Sequence, residues 1–313
     1  MNTKFAIGCL IQWFECDMIE DYIDSLKDAI NQYKGEILVD FMVCLNQDLE
    51  KCISEEQLKI CESKIGNQIL DVRFKTKFTR DLITIADYRR EFNQKYCTQA
   101  DVLVWGESDM LVPKQMFNVL DYLHQNVPVS KYLATFGINK MWDNSWKPLE
   151  HIDFTDKPFI EGDDKNWWSI PYTMGIEEMN SFNDKIEELQ VTQIQPHKFN
   201  GCGLVISSEV IKSGVNIPQS CFFIHEDTSF MIMTQKILGN IPQYHFKNIL
   251  LVHNRKHPQK RNYVKGEKGI YLDDQRKSNN WYNKANQMCS QNNINLFNPQ
   301  HKSFTWKDVW KKS

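Results

Sequence analysis

The sequence predicts an α/β fold with a central, mostly parallel sheet flanked by helices. Three observations point there. Apolar runs of strand length alternate with segments of helical spacing. The first three elements read strand, helix, strand at the separation of a βαβ unit. The sheet segments are continuous apolar runs, as strands covered on both faces require, and do not alternate polar with apolar residues.

Taken in order, Lys4 to Gln12 reads as a buried strand. Asp17 to Tyr33 follows with Met18, Tyr22, Leu26, Ala29 and Ile30 at helical spacing, and Gly35 can end that helix. Glu36 to Leu45 is a second strand, interrupted only by Asp40. A helix is expected over Cys52 to Asn67 and a short strand over Ile69 to Phe74. Leu82 to Cys97 places Ile85, Tyr88, Phe92 and Tyr96 on one helical face. Ala100 to Trp105 is a fourth strand running into Gly106-Glu107-Ser108-Asp109, and Pro113 suits the first turn of a helix ending near His124.

From Met141 to Thr173 the chain is aromatic and irregular, with Trp142, Trp146, Trp167, Trp168 and Tyr172. Helices are expected over Glu177 to Leu189, Ser208 to Gly214 and Thr228 to Leu238. Strands are expected over Leu204 to Ser207, Cys221 to Ile224 and Ile249 to His253. The rest is polar and basic.

Composition narrows the function classes. With 313 residues, 42% hydrophobic and 25% charged, the chain can bury a substantial core. A net charge of -3 argues against a broad nucleic-acid footprint. No apolar stretch reaches membrane-spanning length, and Met1 to Cys9 reads as a first strand and not a signal peptide. The 9 cysteines form no CxxC pair and no zinc spacing, so reduced thiols in a cytoplasm are the expectation.

Several groups could carry chemistry. Glu107-Ser108-Asp109 follows an apolar strand, where two carboxylates can converge on a hard cation such as Mg²⁺ or Mn²⁺. The same tripeptide could be a solvated acidic turn. His225-Glu226-Asp227 precedes a helix; a carboxylate there could serve as general base or simply cap the helix. His253 closes a strand and could complete a metal shell or be structural. Arg255, Lys256, His257, Lys260 and Arg261 could grip a diphosphate or form a solvated loop. The tryptophan-rich middle could stack on sugars or fill a core.

The order of these pieces resembles the GT-A glycosyltransferases, particularly the inverting family 2. The likeness runs through the strand-helix-strand start, the acidic x-Ser-Asp after a strand, Gly201-Cys202-Gly203-Leu204-Val205-Ile206 with Gly214, Phe222-Phe223-Ile224-His225-Glu226-Asp227, and Val252-His253. It covers roughly residues 4 to 255. It implies a Rossmann-like GT-A domain over 1–255, with a nucleotide-sugar half (1–125), an acceptor half (126–255) and a C-terminal extension (256–313).

The resemblance also implies roles. Asp109, His253 and Glu107 would bind Mn²⁺ or Mg²⁺. Asp227 would be the catalytic base, with Glu226 its neighbour or alternative. The loop Gln12-Trp13-Phe14-Glu15, then Asn46 and Asp48, would meet the nucleotide. Ser108 lies within the metal motif. Arg89 and Arg90 fall near the arginine that precedes this motif in many relatives. The implied partners are a UDP- or GDP-sugar and a carbohydrate or other hydroxyl acceptor, with no nucleic acid. Two departures stand out: the metal motif opens with Glu, and Cys44-Leu45-Asn46-Gln47-Asp48 replaces the usual Asp-rich turn. A nucleotidyltransferase on a similar sheet is an alternative, though Gln12 to Asp17 lacks the Gly and basic residues it needs. A non-catalytic carbohydrate-binding protein is another.

Overall fold

The structure is a computed structural model that describes residues 2–12, 15, 19–44, 59, 63, 74–79, 81, 83–138, 175–194, 201–221, 225–253 and 286–291. Strand β1 (Phe5–Gln12) is buried along nearly its whole length. Helix α1 (Ile19–Gln32) carries the chain to β2 (Ile37–Cys44), which pairs parallel to β1 from Phe5↔Ile37 to Gln12↔Cys44. β3 (Phe74–Thr79) adds parallel to β2. Helix α2 (Ile85–Tyr96) then returns the chain to β4 (Val102–Trp105), parallel to β1 on its other side.

The remaining strands are β5 (Met110–Leu111), β6 (Leu133–Ile138), β7 (Val191–Ile194), β8 (Val205–Ser207) and β9 (Gln243–His253). Helices α3 (Met116–Asn126), α4 (Ile176–Asn183), α5 (Ser208–Lys212) and α6 (Glu226–Leu238) accompany them, and residues 286–291 are also helical. The 9-stranded sheet runs β3-β2-β1-β4-β8-β6-β9-β5, with β7 paired to β9. β8 is antiparallel to both β4 and β6, while β6 and β9 are parallel. The chain therefore adopts the expected α/β architecture, a mixed and mostly parallel sheet flanked by helices.

Alternation along β1 divides the core. Phe5, Ile7, Cys9 and Ile11 join Tyr22, Leu26 and Phe117 on the α1/α3 face. Ala6 and Leu10 join Phe92, Trp105 and Phe230 on the α2/α6 face. Each fully buried side chain of this size contributes about 1.5–3 kcal/mol. Gly8 lets α2 lie close to the sheet, because a Cβ there would come within 2.5 Å of the Phe92 ring. Thr84 and Asp87 form a capping box that fixes where α2 begins.

Asp40, the one interruption in the second apolar run, is paired. Its carboxylate accepts from Tyr96 Oη (2.6 Å), Lys95 Nζ (2.7 Å) and Tyr88 Oη (3.2 Å), all on α2.

Several elements differ from expectation. β3 starts at Phe74, where the expected strand ended. Its Phe-Lys-Thr-Lys-Phe-Thr sequence lacks an apolar run, which a strand at the sheet edge does not need. β9 is 11 residues long, beginning at Gln243 and not Ile249. α4 ends at Asn183, short of Leu189, and Cys221 is not in a strand. β5, β6 and β7 were not anticipated. The helix expected over residues 52–67 lies outside the described residues except at 59 and 63, and residues 222–224 and the tryptophan-rich segment also lie outside them. None of the described helices is long and apolar enough to cross a membrane.

Candidate active site

The carboxyl ends of β1, β4 and β9 open onto one edge of the sheet. β1 turns to β2 on one side and β4 on the other, and such a switch point is where α/β sheets hold ligands. Because β8 runs the opposite way, the turn that precedes it reaches the same edge. Hydrogen bonds from Gly203 N to Trp105 O and from Trp105 N to Leu204 O, both 2.9 Å, pin that turn to the end of β4.

Two acidic segments meet here, and Arg89 joins them. Nη1 donates to Glu226 Oε1 at 2.6 Å; Nη2 donates to Glu107 Oε1 at 3.0 Å and to Gly201 O at 3.1 Å. The guanidinium also lies 4.6 Å from the Trp105 ring centre. Burial alone would lower the Arg89 pKa, but Glu226 and Glu107 outweigh it and raise it, so the group stays charged. Arg89 Nε is buried with no hydrogen-bond partner among the described residues.

The neighbouring Arg90 has a different place. It donates to the carbonyls of Ile217 (2.8 Å) and Pro218 (2.7 Å) and pairs with Asp87 (3.0 Å), bracing α2 against the loop before α6. Arg90, expected among the nucleotide contacts, is thus held by these partners, whereas Arg89 is the arginine that joins the acidic cluster. Successive helical residues point about 100° apart, so only one of the pair can face the sheet.

His253 closes the cluster. β5 pairs Met110 with His253, and this register brings Asp109 beside the imidazole. His253 Nε2 lies 3.0 Å from Asp109 Oδ1 and 3.0 Å from Glu107 Oε2. One ring nitrogen carries at most one proton and cannot satisfy two carboxylates fully. Burial pushes the Glu107 carboxyl up, but the hydrogen bond and charge of His253, with Arg89, outweigh it and hold it well below the usual range. Glu226 moves the other way. Burial and the adjacent Asp227 outweigh Arg89 and push it up to about 8. Among the described residues, the basic side chains that contact Glu107, Asp109 and Glu226 are Arg89 and His253. That donor set, oxygen-rich and short of positive charge, suits a divalent cation.

Glu226 is the first residue of α6, and the acid pair begins from a strained turn. His225, which caps the helix, is left-handed (φ 61°, ψ 19°), and its Nε2 contacts Asn286 Oδ1 at 2.5 Å. Asp227 is half-buried; its Oδ1 accepts from Thr228 N at 2.6 Å. Its Oδ2 lies 3.5 Å from where a Cβ on Gly201 would stand.

A cleft of about 200 Å³ adjoins these groups, lined in part by Gln12, Glu15, Glu107, Ser108 and Glu226. Glu15 folds back so that its carboxylate accepts from Gln12 N at 2.9 Å. Gln12, Glu15, Glu107, Ser108 and Glu226 are thereby brought to one opening, and His253 links its Glu107 to Asp109. Trp13, Asn46, Asp48 and the basic run from Arg255 lie outside the described residues.

Sequence reasoning passed over Cys202, whose Sγ lies with donor atoms of Glu107 and His253 in a set all within 4.8 Å of one another. It also passed over Trp105 as the platform under Arg89. The placement of Arg89 did leave a signal: it shares helical spacing with Ile85, Phe92 and Tyr96.

No family model matches this sequence, and no curated protein matches it. Solved structures similar to it include residues 1-349 of TarS from S. aureus in complex with UDP, at 11% identity and a TM-score of 0.48, covering 79% of this chain and 59% of that one. The same fragment without a stated ligand gives 10% identity and a TM-score of 0.49, covering 94% and 72%. Glucosyl-3-phosphoglycerate synthase from Mycobacterium tuberculosis, in complex with Mn²⁺, UDP and glucosyl-3-phosphoglycerate, gives 13% identity and a TM-score of 0.43, covering 86% and 82%. This chain spans less than two thirds of the length of the TarS fragment in its UDP complex.

Proposed function

We propose that this protein is a metal-dependent glycosyltransferase of the GT-A type, moving a sugar from a UDP- or GDP-sugar to an acceptor hydroxyl with inversion. The observation that carries this reading is the convergence of Glu107, Asp109 and His253 with Arg89, Glu226 and Asp227 at the carboxyl edge, beside an open cleft. The order of sequence motifs supports it independently.

In this reading Gln12 and Glu15 meet the nucleoside, and Ser108 lines the path to the diphosphate. Glu107, Asp109 and His253 would hold Mn²⁺ or Mg²⁺, which would neutralise charge on the departing diphosphate. Arg89 locks Glu107 and Glu226 at a fixed separation, so the two acidic segments need no reorganisation when substrate arrives. Asp227 takes the proton of the attacking hydroxyl on Oδ2. Its Oδ1 is held by the Thr228 amide, while the Oε1 of Glu226 is held by Arg89. The nucleotide-sugar half, the acceptor half and the C-terminal extension belong to this proposal.

The test is release of nucleoside diphosphate from a panel of UDP- and GDP-sugars, with Mn²⁺ and simple saccharide acceptors. Turnover should fall about 10²–10⁴-fold in Asp227→Asn, the range for loss of a general base. No release from any donor, or full turnover in Asp227→Asn, contradicts the reading.

A further inference from the structure

The turn before β8 is built to present one side chain. A Cβ at Gly201 would come within 2.6 Å of Arg89 Nη1, and one at Gly203 (φ +67°) within 2.6 Å of Leu251 Cδ1. Between them stands Cys202, 4% exposed, with Sγ inside the 4.8 Å set that includes Glu107 and His253. Tyr22 adds an independent observation. Its ring is fully buried, and its Oη has no hydrogen-bond partner among the described residues. That Oη stands 2.3 Å from where a Cβ on Gly106, the residue before Glu107, would be, and Cys202 and Glu107 lie close enough to act on it electrostatically. An unpartnered phenol beside these donors is placed to hydrogen-bond to water held on a cation.

We propose that Cys202 Sγ is itself a ligand of the cation at this edge, and that the site selects a thiophilic divalent ion of the Zn²⁺ or Co²⁺ class over Mg²⁺. This rests on reading the edge as a cation site. Imidazole nitrogen from His253, thiolate sulfur from Cys202 and carboxylate oxygen from Glu107 make a mixed set that suits borderline ions. Mg²⁺ prefers oxygen in octahedral geometry and gains little from sulfur. Binding breaks the Sγ–H bond and forms an Sγ–metal bond; the proton leaves to solvent and nothing is oxidised.

The test uses the full chain, stripped with chelator and titrated with Co²⁺. A near-ultraviolet thiolate-to-cobalt charge-transfer band should appear and resist excess Mg²⁺. Cys202→Ser should abolish the band and weaken Co²⁺ binding more than about tenfold, a loss that even an outer-shell partner can cause. Cys97→Ser, on the opposite face of the sheet from Cys202, should leave it intact. Co²⁺ binding without the band, a band that persists in Cys202→Ser, or ready displacement by Mg²⁺ overturns the proposal while the cation site stands. No Co²⁺ binding by the wild type overturns both.

Discussion

Helix α2 serves two buried acidic centres, and they are built oppositely. At Asp40 one carboxylate meets Lys95, Tyr96 and Tyr88, so its charge and its lone pairs are matched. At the carboxyl edge Arg89, from the same helix, faces Glu226 and Glu107, with Asp109 and Asp227 adjoining and, among the described residues, His253 as the one other basic side chain in contact. A buried charge that serves the fold is balanced by its neighbours. A cluster with more carboxylates than basic partners is costly alone and would be favourable once a cation arrives, as the proposed function requires.

The largest effect expected from this contrast is at Arg89. Arg89→Ala should cost about 3–5 kcal/mol in chemical denaturation, because Glu226 and Glu107 lose their shared partner. Arg89→Lys should recover little, since one ammonium cannot span two carboxylates and the Gly201 carbonyl. Full stability in either variant would break the comparison.

Next is the pH dependence of the metal-free protein. Glu226 is pushed up to about 8 from an ordinary value of 4.5. A carboxyl raised on folding stabilises the fold while protonated; that contribution is complete below the unfolded value and lost as pH rises through the folded one. The protein should therefore be less stable at about pH 9 than at about pH 6, by an amount on the order of a few kcal/mol. Glu226→Gln should flatten the slope. Glu107, whose pKa is lowered, loses its contribution only as pH falls below the ordinary carboxylate range, so it does not obscure this window. Stability that rises over the interval contradicts the assignment.

Asp40→Asn should cost about 1–3 kcal/mol and leave nucleotide binding unchanged, since Asp40 sits within the core and away from the cleft lining. A loss of binding equal to the loss of stability would merge the two centres. The smallest effect is at His225. His225→Gly should relieve left-handed strain of about 1 kcal/mol, offset in part by loss of the Asn286 contact. A large loss would show that the contact, not the backbone, sets the start of α6.

Much of the frame was legible in the sequence. β1, β2 and β4 are buried on both faces and so read as continuous apolar runs. β5 was not legible, since two residues carry no period, yet its register is what sets Asp109 beside His253. The first half of β9 mixes Gln243, His245 and Lys247 into the strand and hides it from a search for apolar runs. At the site, Glu107, Asp109, Glu226 and His253 were named from motif order, whereas the choice between Arg89 and Arg90 depended on helical phase. Cys202 stayed hidden because a thiol between two glycines looks like part of a turn, and only the folded chain places it near Glu107 and His253.

The most direct test of the central claim is calorimetric binding of UDP and GDP to the wild type and to Asp109→Ala, each with and without Mn²⁺. The account predicts that a nucleoside diphosphate binds the wild type only with metal, and that Asp109→Ala, removing a carboxylate 3.0 Å from His253, abolishes that dependence together with tight binding. Nucleotide binding of equal strength in all four conditions, or in none of them, would contradict it.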